Sequence, residues 1–389
     1  MKITDIKTYV VKVSDKSSPW PWLFVEVETD EGITGLGEAT DTHAAPALIT
    51  AFETIKPMIV GEDPANIEEI WQRIFHSFSN INGRGFTSHL ISAIDTALWD
   101  IRGKVLGQPI YNLIGGPVRA SVPLYTHIQD QGQANGLQDA YDQTKRVISE
   151  GYTAIKTDPF KSQRPSGPRH WGSDKVEILS PSAIQEAVDW MDTVREAAGP
   201  DAELMVDAHA RFDTASAIAA GQALEHVNLI WYEEPVPPQN HAALQQVREN
   251  TNIPLCMGER HFTRFDYLPL FEHRLVDYVM PDILWTGGIS EMKRIGSMAE
   301  AYYVRIAPHD AMGPVSIVAG FHCSMTMPNL YRLECLHTWF DDFAKILDPM
   351  FKYEGDSIVP TDEPGLGIAL NHEVLDQYIV EPDSFISFG

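Results

Sequence analysis

From residue 122 onward the chain alternates short apolar runs with longer stretches of helical spacing. The runs are 122–127, 154–158, 204–207, 229–233, 255–259, 278–282, 304–309 and 331–336. Segments between them, such as 214–225 and 241–249, carry apolar residues at helical intervals. Continuous apolar runs joined through helices read as buried parallel strands in βα units. Eight such units predict an α/β fold with a (β/α)8-type barrel, whose chemistry gathers at the C-terminal ends of its strands.

The first part of the chain has a different pattern. Ile3, Ile6, Tyr9, Val11 and Val13 mark a strand, the last three alternating; 23–28 is a second. The turn Asp30-Glu31-Gly32 leads to a third at 33–36. Helical patterns follow at 44–59, 66–78 and 89–105, the last with Ile91, Ile94 and Leu98 on one face. Gly115-Gly116-Pro117 breaks the pattern. Three parts are therefore expected: an α+β region over 1–118, the barrel over 119–345, and a tail over 346–389. Periodicity fades after Phe340 and turn residues fill 361–371, so the tail is expected to return to the first region.

Three irregular stretches stand out. Residues 14–22 end in Pro19-Trp20-Pro21-Trp22, where two tryptophans could plug a core or cap a ligand. Residues 80–85 form a loop that carries Arg84. Residues 161–180 are a long polar excursion of the kind that is usually functional or mobile.

Composition narrows the partners. Lys and Arg number 29 against 54 Asp and Glu, a formal net charge of −25. That surface repels nucleic acid and anionic membranes, so neither is an expected partner, and an anionic ligand needs local positive charge or a metal. Hydrophobic residues at 44% suffice for a sizeable core. Cys256, Cys323 and Cys335 have no close spacing and read as buried thiols, neither a disulfide framework nor a zinc site. The opening residues lack a signal-peptide layout and no apolar run reaches membrane-spanning length. A soluble cytoplasmic protein is expected.

Three consecutive runs end in carboxylates, Asp207, Glu233 and Glu259, spaced 26 residues apart. A single acidic residue at a strand end means little. Three at one period, on parallel strands, converge on one rim and suit a hard divalent cation such as Mg²⁺. The later runs end in Asp282, His309 and Glu334, and the second contains Lys156 and Asp158. His209 follows Asp207 by two residues and so points the same way in extended chain. His309 faces Asp282 from the neighbouring strand, where a carboxylate on one ring nitrogen would fix the tautomer and raise basicity. Two histidines, a lysine and a metal around one cavity make acid–base machinery.

The motifs Val206-Asp207-Ala208-His209, Glu233-Glu234-Pro235, Gly258-Glu259-Arg260, Asp282 with Gly287-Gly288, and Ala307-Pro308-His309 resemble the enolase superfamily, in its mandelate racemase branch of acid-sugar dehydratases. The likeness covers nearly the whole chain. The first region resembles the family's capping domain through Gly35-Leu36-Gly37-Glu38 and residues 92–100. The resemblance implies Mg²⁺ held by Asp207, Glu233 and Glu259, binding a substrate carboxylate. It also implies a base that takes the proton α to that carboxylate, with the metal stabilising the enediolate.

Racemases and cycloisomerases of the superfamily carry Lys-x-Lys on the second strand, whereas this chain has Lys156-Thr157-Asp158. His209 and the His309–Asp282 pair match galactonate dehydratase-like members, although Asp158 replaces the Asn of that group. Mannonate dehydratases use an Arg/Tyr pair after the second strand; residues 157–182 hold Arg164 and Arg169 but no tyrosine. The expectation is a Mg²⁺-dependent dehydratase of a sugar acid, assembled as a homo-oligomer. His309 would act as base and His209 as acid, with these roles exchangeable by substrate stereochemistry. Lys156 and Glu334 would hold the substrate carboxylate, and Trp20, Trp22, Arg84, Asp158 and Trp285 would line the substrate site. A racemase, epimerase or cycloisomerase, or a non-catalytic sugar-acid binder, is the alternative on the same scaffold.

Overall fold

The computed structural model describes residues 1–14, 18, 20–41, 44–78, 83–128, 136–160 and 178–382. Most of the excursion at 161–180, including Arg164 and Arg169, lies outside these residues, as do parts of the loops at 14–22 and 80–85.

The chain opens with an antiparallel sheet of β1 (Ile3–Val11), β2 (Trp22–Thr29) and β3 (Thr34–Glu38). Four helices follow: α1 (Ala45–Ile59), α2 (Ile67–Ser77), α3 (Phe86–Leu106) and α4 (Ile110–Leu113). The amphipathic α1 and α2 bury Leu48, Phe52, Ile55, Ile70, Trp71 and Ile74 against the sheet and α3, forming a separate apolar core. Helix α3 lies so close to β3 that side chains are excluded between them. A Cβ on Gly35 would sit 2.0 Å from the Ala97 carbonyl oxygen, and one on Gly37 2.1 Å from that of Ala93. The glycines of the Gly35-Leu36-Gly37-Glu38 motif are thus required by backbone approach.

The second unit is a barrel of β4 (Val122–His127), α5 (Leu137–Ser149), β5 (Ala154–Thr157), α6 (Pro181–Ala198), β6 (Glu203–Asp207), α7 (Thr214–Leu224), β7 (Trp231–Glu233) and α8 (His241–Asn250). It continues with β8 (Leu255–Met257), α9 (Arg264–Glu272), β9 (Tyr278–Val279), α10 (Ile283–Thr286), α11 (Gly288–Ala301), β10 (Arg305–Ile306), α12 (Pro314–Met325) and β11 (Leu333–Glu334). Strands β4 to β10 pair in parallel in chain order. The circle closes where Ile306 bridges Leu330 and β11 pairs in parallel with β4. The expected α/β barrel with its N-terminal capping domain is present.

The later strands are shorter than their apolar runs. His309 lies beyond β10, and its backbone pairs with that of Asp282 through an isolated bridge. After Phe340, where periodicity fades, the chain still forms α13 (Phe340–Ile346). A hairpin of β12 (Lys352–Glu354) and β13 (Ser357–Val359) then adds antiparallel to β4. The tail continues through α14 (His372–Leu375) and bonds to β1, Lys12 N donating to Tyr378 O and Val380 N to Val10 O, each at 2.9 Å.

Polar contacts at several places join the capping domain to the barrel. Glu38, at the end of β3, accepts from the backbone N–H groups of Gly313, Val315 and Ser316 at 2.8, 3.1 and 3.3 Å, at the start of α12. Trp71 Nε1 donates to Gly287 O at 2.9 Å.

Candidate active site

A ring of side chains fills the barrel interior: Tyr125, Ala154, Met205, Trp231, Cys256, Met280 and Ala307, one from each of seven consecutive strands or strand ends. Two residues further along, the same face of each strand presents the next layer. That layer is His127, Lys156, Asp207, Glu233, Gly258, Asp282 and His309. The step from apolar packing to ionisable groups therefore takes one pleat, and it occurs at the strands' C-terminal ends. On the eighth position the layer is completed by Glu334. The exception is Gly258, whose φ of +148° turns the chain so that Glu259 joins the cluster. A side chain there would also strike Met280 N at 2.8 Å.

Asp207, Glu233 and Glu259 are all buried and offer oxygen atoms within 4.8 Å of one another. Burial, and then the charge of Asp207, push Glu233 well above the usual carboxylate range, with Lys156 opposing. Burial also raises Glu259, but Arg260, His309 and His209 outweigh it and bring its carboxyl to about 2. Crowded buried carboxylates of this kind are relieved by a divalent cation, and the all-oxygen donor set fits a hard one.

Lys156 Nζ lies 2.8 Å from Glu233 Oε1 and 2.6 Å from Glu334 Oε1. Burial works against its charge, but Glu233 and Glu334 hold it well above the ordinary lysine value. Glu334 in turn is kept well below its ordinary value, Lys156, His309 and His127 prevailing over burial. His309 Nδ1 is 2.6 Å from Asp282 Oδ2, and its Nε2 is 3.4 Å from Glu259 Oε2 and 3.9 Å from Glu334 Oε2. Burial lowers this imidazole, yet Glu334, Asp282 and Glu259 raise it to about 10. His209 Nε2 lies 3.0 Å from Asp207 Oδ2 and its Nδ1 3.2 Å from Asp158 Oδ2.

The structure thus brings together Lys156, Asp158, Asp207, His209, Glu233, Glu259, Asp282, His309 and Glu334. Trp285 joins them, its ring 5.4 Å from that of His309 and its Nε1 donating to Thr40 O of the capping domain at 3.2 Å. The other residues expected at the substrate site have the following surroundings. Trp22 is 1% exposed and packs on Phe343 and Trp339, with ring centroids at 5.2 and 6.4 Å. This packing matches the core-plug alternative. Trp20 is buried in the same apolar cluster. Arg84 is largely exposed and pairs with Asp266 in the first turn of α9.

Two residues escaped the sequence reading. His127 Nε2 lies 2.6 Å from Glu334 Oε1, and it ends its apolar run as the other site residues end theirs, so the signal was there. Arg260 pairs with both Glu234 and Glu259, although a cation beside an acidic metal triad has no spacing signature.

A family model described as mandelate racemase / muconate lactonizing enzyme, N-terminal domain, matches residues 9–115. A second, described as enolase C-terminal domain-like, matches residues 139–374. The chain is 32% identical over 391 residues to a protein of Haloferax volcanii named D-xylonate dehydratase, covering 98% of this chain and 90% of that one. It is 31% identical over 382 residues to a Verminephrobacter eiseniae protein named D-galactonate dehydratase, covering 96% and 94%. A crystal structure of an enolase superfamily member from Salmonella Typhimurium superposes with a TM-score of 0.89 at 30% identity, over 97% of this chain and 98% of that one.

Proposed function

The chain belongs to the mandelate racemase / muconate lactonizing enzyme family of the enolase superfamily, and from that premise we propose that it dehydrates a sugar acid of the aldonate class. One observation carries the reading. Across the carboxylate triad, the Asp282-bound His309 is faced by His209, so two imidazoles flank one cation site. That arrangement suits dehydration, because one proton leaves C2 and another must reach the departing oxygen on C3. The relatives named for D-xylonate and D-galactonate support an aldonate.

Asp207, Glu233 and Glu259 would hold Mg²⁺. When bound, the cation supplies positive charge that acidifies the C2–H bond of a carboxylate ligand. His309, its Nδ1 engaged by Asp282, presents Nε2 as the base for the C2 proton. His209 protonates the 3-hydroxyl as the C3–O bond breaks, and water departs. The enol left behind ketonises to a 2-keto-3-deoxy acid. Lys156 offsets substrate charge that the acidic surface would otherwise repel, and Glu334 orients the carboxylate. Trp285 forms the wall over His309. Substrate stereochemistry sets which imidazole meets C2, so the two histidines exchange roles for the opposite configuration.

A screen of aldonates with Mg²⁺, read by 2-keto product, tests the proposal. Formation of a 2-keto-3-deoxy acid from at least one aldonate is the expected result. Inversion or exchange at C2 with no loss of water would replace it with a racemase or epimerase.

A further inference from the structure

Resting on that reading of the two imidazoles, we infer that Asp158 is a positioning residue for His209, forming a second Asp–His pair across the cavity from Asp282 and His309. A substrate contact, the role expected from sequence, fits poorly. A bare carboxylate there would face an anionic substrate, and this one is already engaged. Its Oδ1 accepts from Arg211 Nη2 at 2.9 Å and from Phe160 N at 3.0 Å. Asp158 is 3% exposed and Arg211 2%. Arg211 is itself fixed, Nε donating to Ala208 O at 3.0 Å and the guanidinium lying 5.7 Å from the Phe212 ring centre. The carboxylate is therefore pinned by one oxygen and neutralised, with the other oxygen left 3.2 Å from His209 Nδ1.

The backbone aims the ring from the other side. His209 and Ala210 have φ of 52° and 57°, a left-handed conformation uncommon outside glycine, and His209 N donates to Asp207 Oδ1 at 2.7 Å. Such strain persists where surrounding bonds over-determine it and clusters at functional sites. Both ring nitrogens face carboxylates, which can only accept; with Asp207 committed to a cation, Asp158 would be the one left to hold hydrogen on the ring, at Nδ1. Nε2 is then the nitrogen turned to the metal rim, 3.0 Å from Asp207. The series Arg211–Asp158–His209 thus joins a strand end to a strained turn, and it specifies which ring nitrogen works.

The test uses Asp158→Asn and Asp158→Ala, each in the wild-type and His209→Asn backgrounds, with thermal unfolding as the check on folding. In the wild-type background, dehydration falls roughly 10–100-fold, the range for outer partners of a site. C2 proton exchange with solvent deuterium and Mg²⁺ affinity stay at the wild-type level. In the His209→Asn background the same substitutions have no further effect, because groups acting as a unit are not additive. An equal loss in both backgrounds, or a parallel loss of exchange with a substrate whose exchange requires His309, overturns the inference.

A second readout does not depend on turnover. In Mg²⁺-loaded protein with isotope-labelled histidine, His209 shows the Nδ1–H tautomer in the wild type and loses it in Asp158→Ala. An unchanged His209 signal overturns the inference. If Asp158→Ala fails to fold, Asp158→Asn carries both measurements. A tautomer that depends on Asp158 in a protein that dehydrates no aldonate would sink the proposed function and leave the positioning role standing.

Discussion

His309 Nδ1 and Asp282 Oδ2 are 2.6 Å apart, both side chains buried. Asp282 cannot swing away, because Leu284 N donates to its Oδ1 at 2.7 Å at the start of α10. The carboxylate therefore fixes the ring with Nε2 toward the triad, in the manner by which a buried acid sets an imidazole tautomer.

His309→Asn should abolish exchange of the substrate C2 proton with solvent deuterium. His209→Asn should slow 2-keto product formation by roughly the 10²–10⁴-fold typical of general acid–base catalysis and still permit exchange. Nuclear magnetic resonance of the recovered substrate separates the two. Exchange surviving in His309→Asn but lost in His209→Asn would reverse their roles for the substrate used, and exchange in both would point to Lys156.

Metal removal gives the second prediction. Glu233→Gln keeps the oxygen that faces Lys156 and sits above the packed layer of Met205, Trp231 and Cys256, so folding should survive. Mg²⁺ affinity should drop by more than the roughly 10–100-fold that an outer-shell loss costs. Calorimetric titration and activity with and without a chelator measure it. Normal turnover of the variant in EDTA would disprove the metal assignment.

Much of this rim was legible in the chain because strand period and strand end coincide. Asp207, Glu233, Asp282 and His309 each close an apolar run, and parallel strands carry such ends to one place. Glu259 breaks the strict alternation, and only the turn at Gly258 brings it in. Trp22 could not be placed by pattern, since a tryptophan in a Pro-rich loop has the same sequence signal whether it meets Phe343 or a ligand. The β12–β13 hairpin also escaped, its first strand being exposed throughout and so lacking an apolar run.

Acid should weaken the fold through His322. This buried ring accepts from Tyr111 N at Nδ1 (3.2 Å) and donates from Nε2 to Leu366 O (3.0 Å), so both nitrogens are committed to the neutral form. Burial lowers it to about 4 from the ordinary 6.5. The unfolded chain then binds the proton more readily than the folded one. The stabilisation is present above pH 6.5 and is lost as pH falls toward 4, roughly 3 kcal/mol across that window. Denaturant unfolding at pH 7.5 and pH 5 should show a smaller difference in His322→Gln than in the wild type, by about 2 kcal/mol. Equal differences would count against it.

Gly37→Ala should destabilise the capping domain. Its Cβ would collide with the Ala93 carbonyl, and backbone on both sides must separate. Overpacking of this sort costs typically 1–3 kcal/mol, and two rigid backbones put the cost at or above the upper end. A melting temperature equal to that of the wild type would refute it.

The three N–H groups that open α12 find their acceptor on Glu38, more than 270 positions earlier in the chain. A barrel expressed without the first strands would leave those donors unsatisfied and a largely buried helix, α12, without its anchor. Capping domain and barrel are in this respect tied by hydrogen bonds that neither part can satisfy alone. Exchanging capping domains between relatives to alter specificity would carry Glu38 across with them, and a graft lacking an acceptor there would melt before it could be assayed.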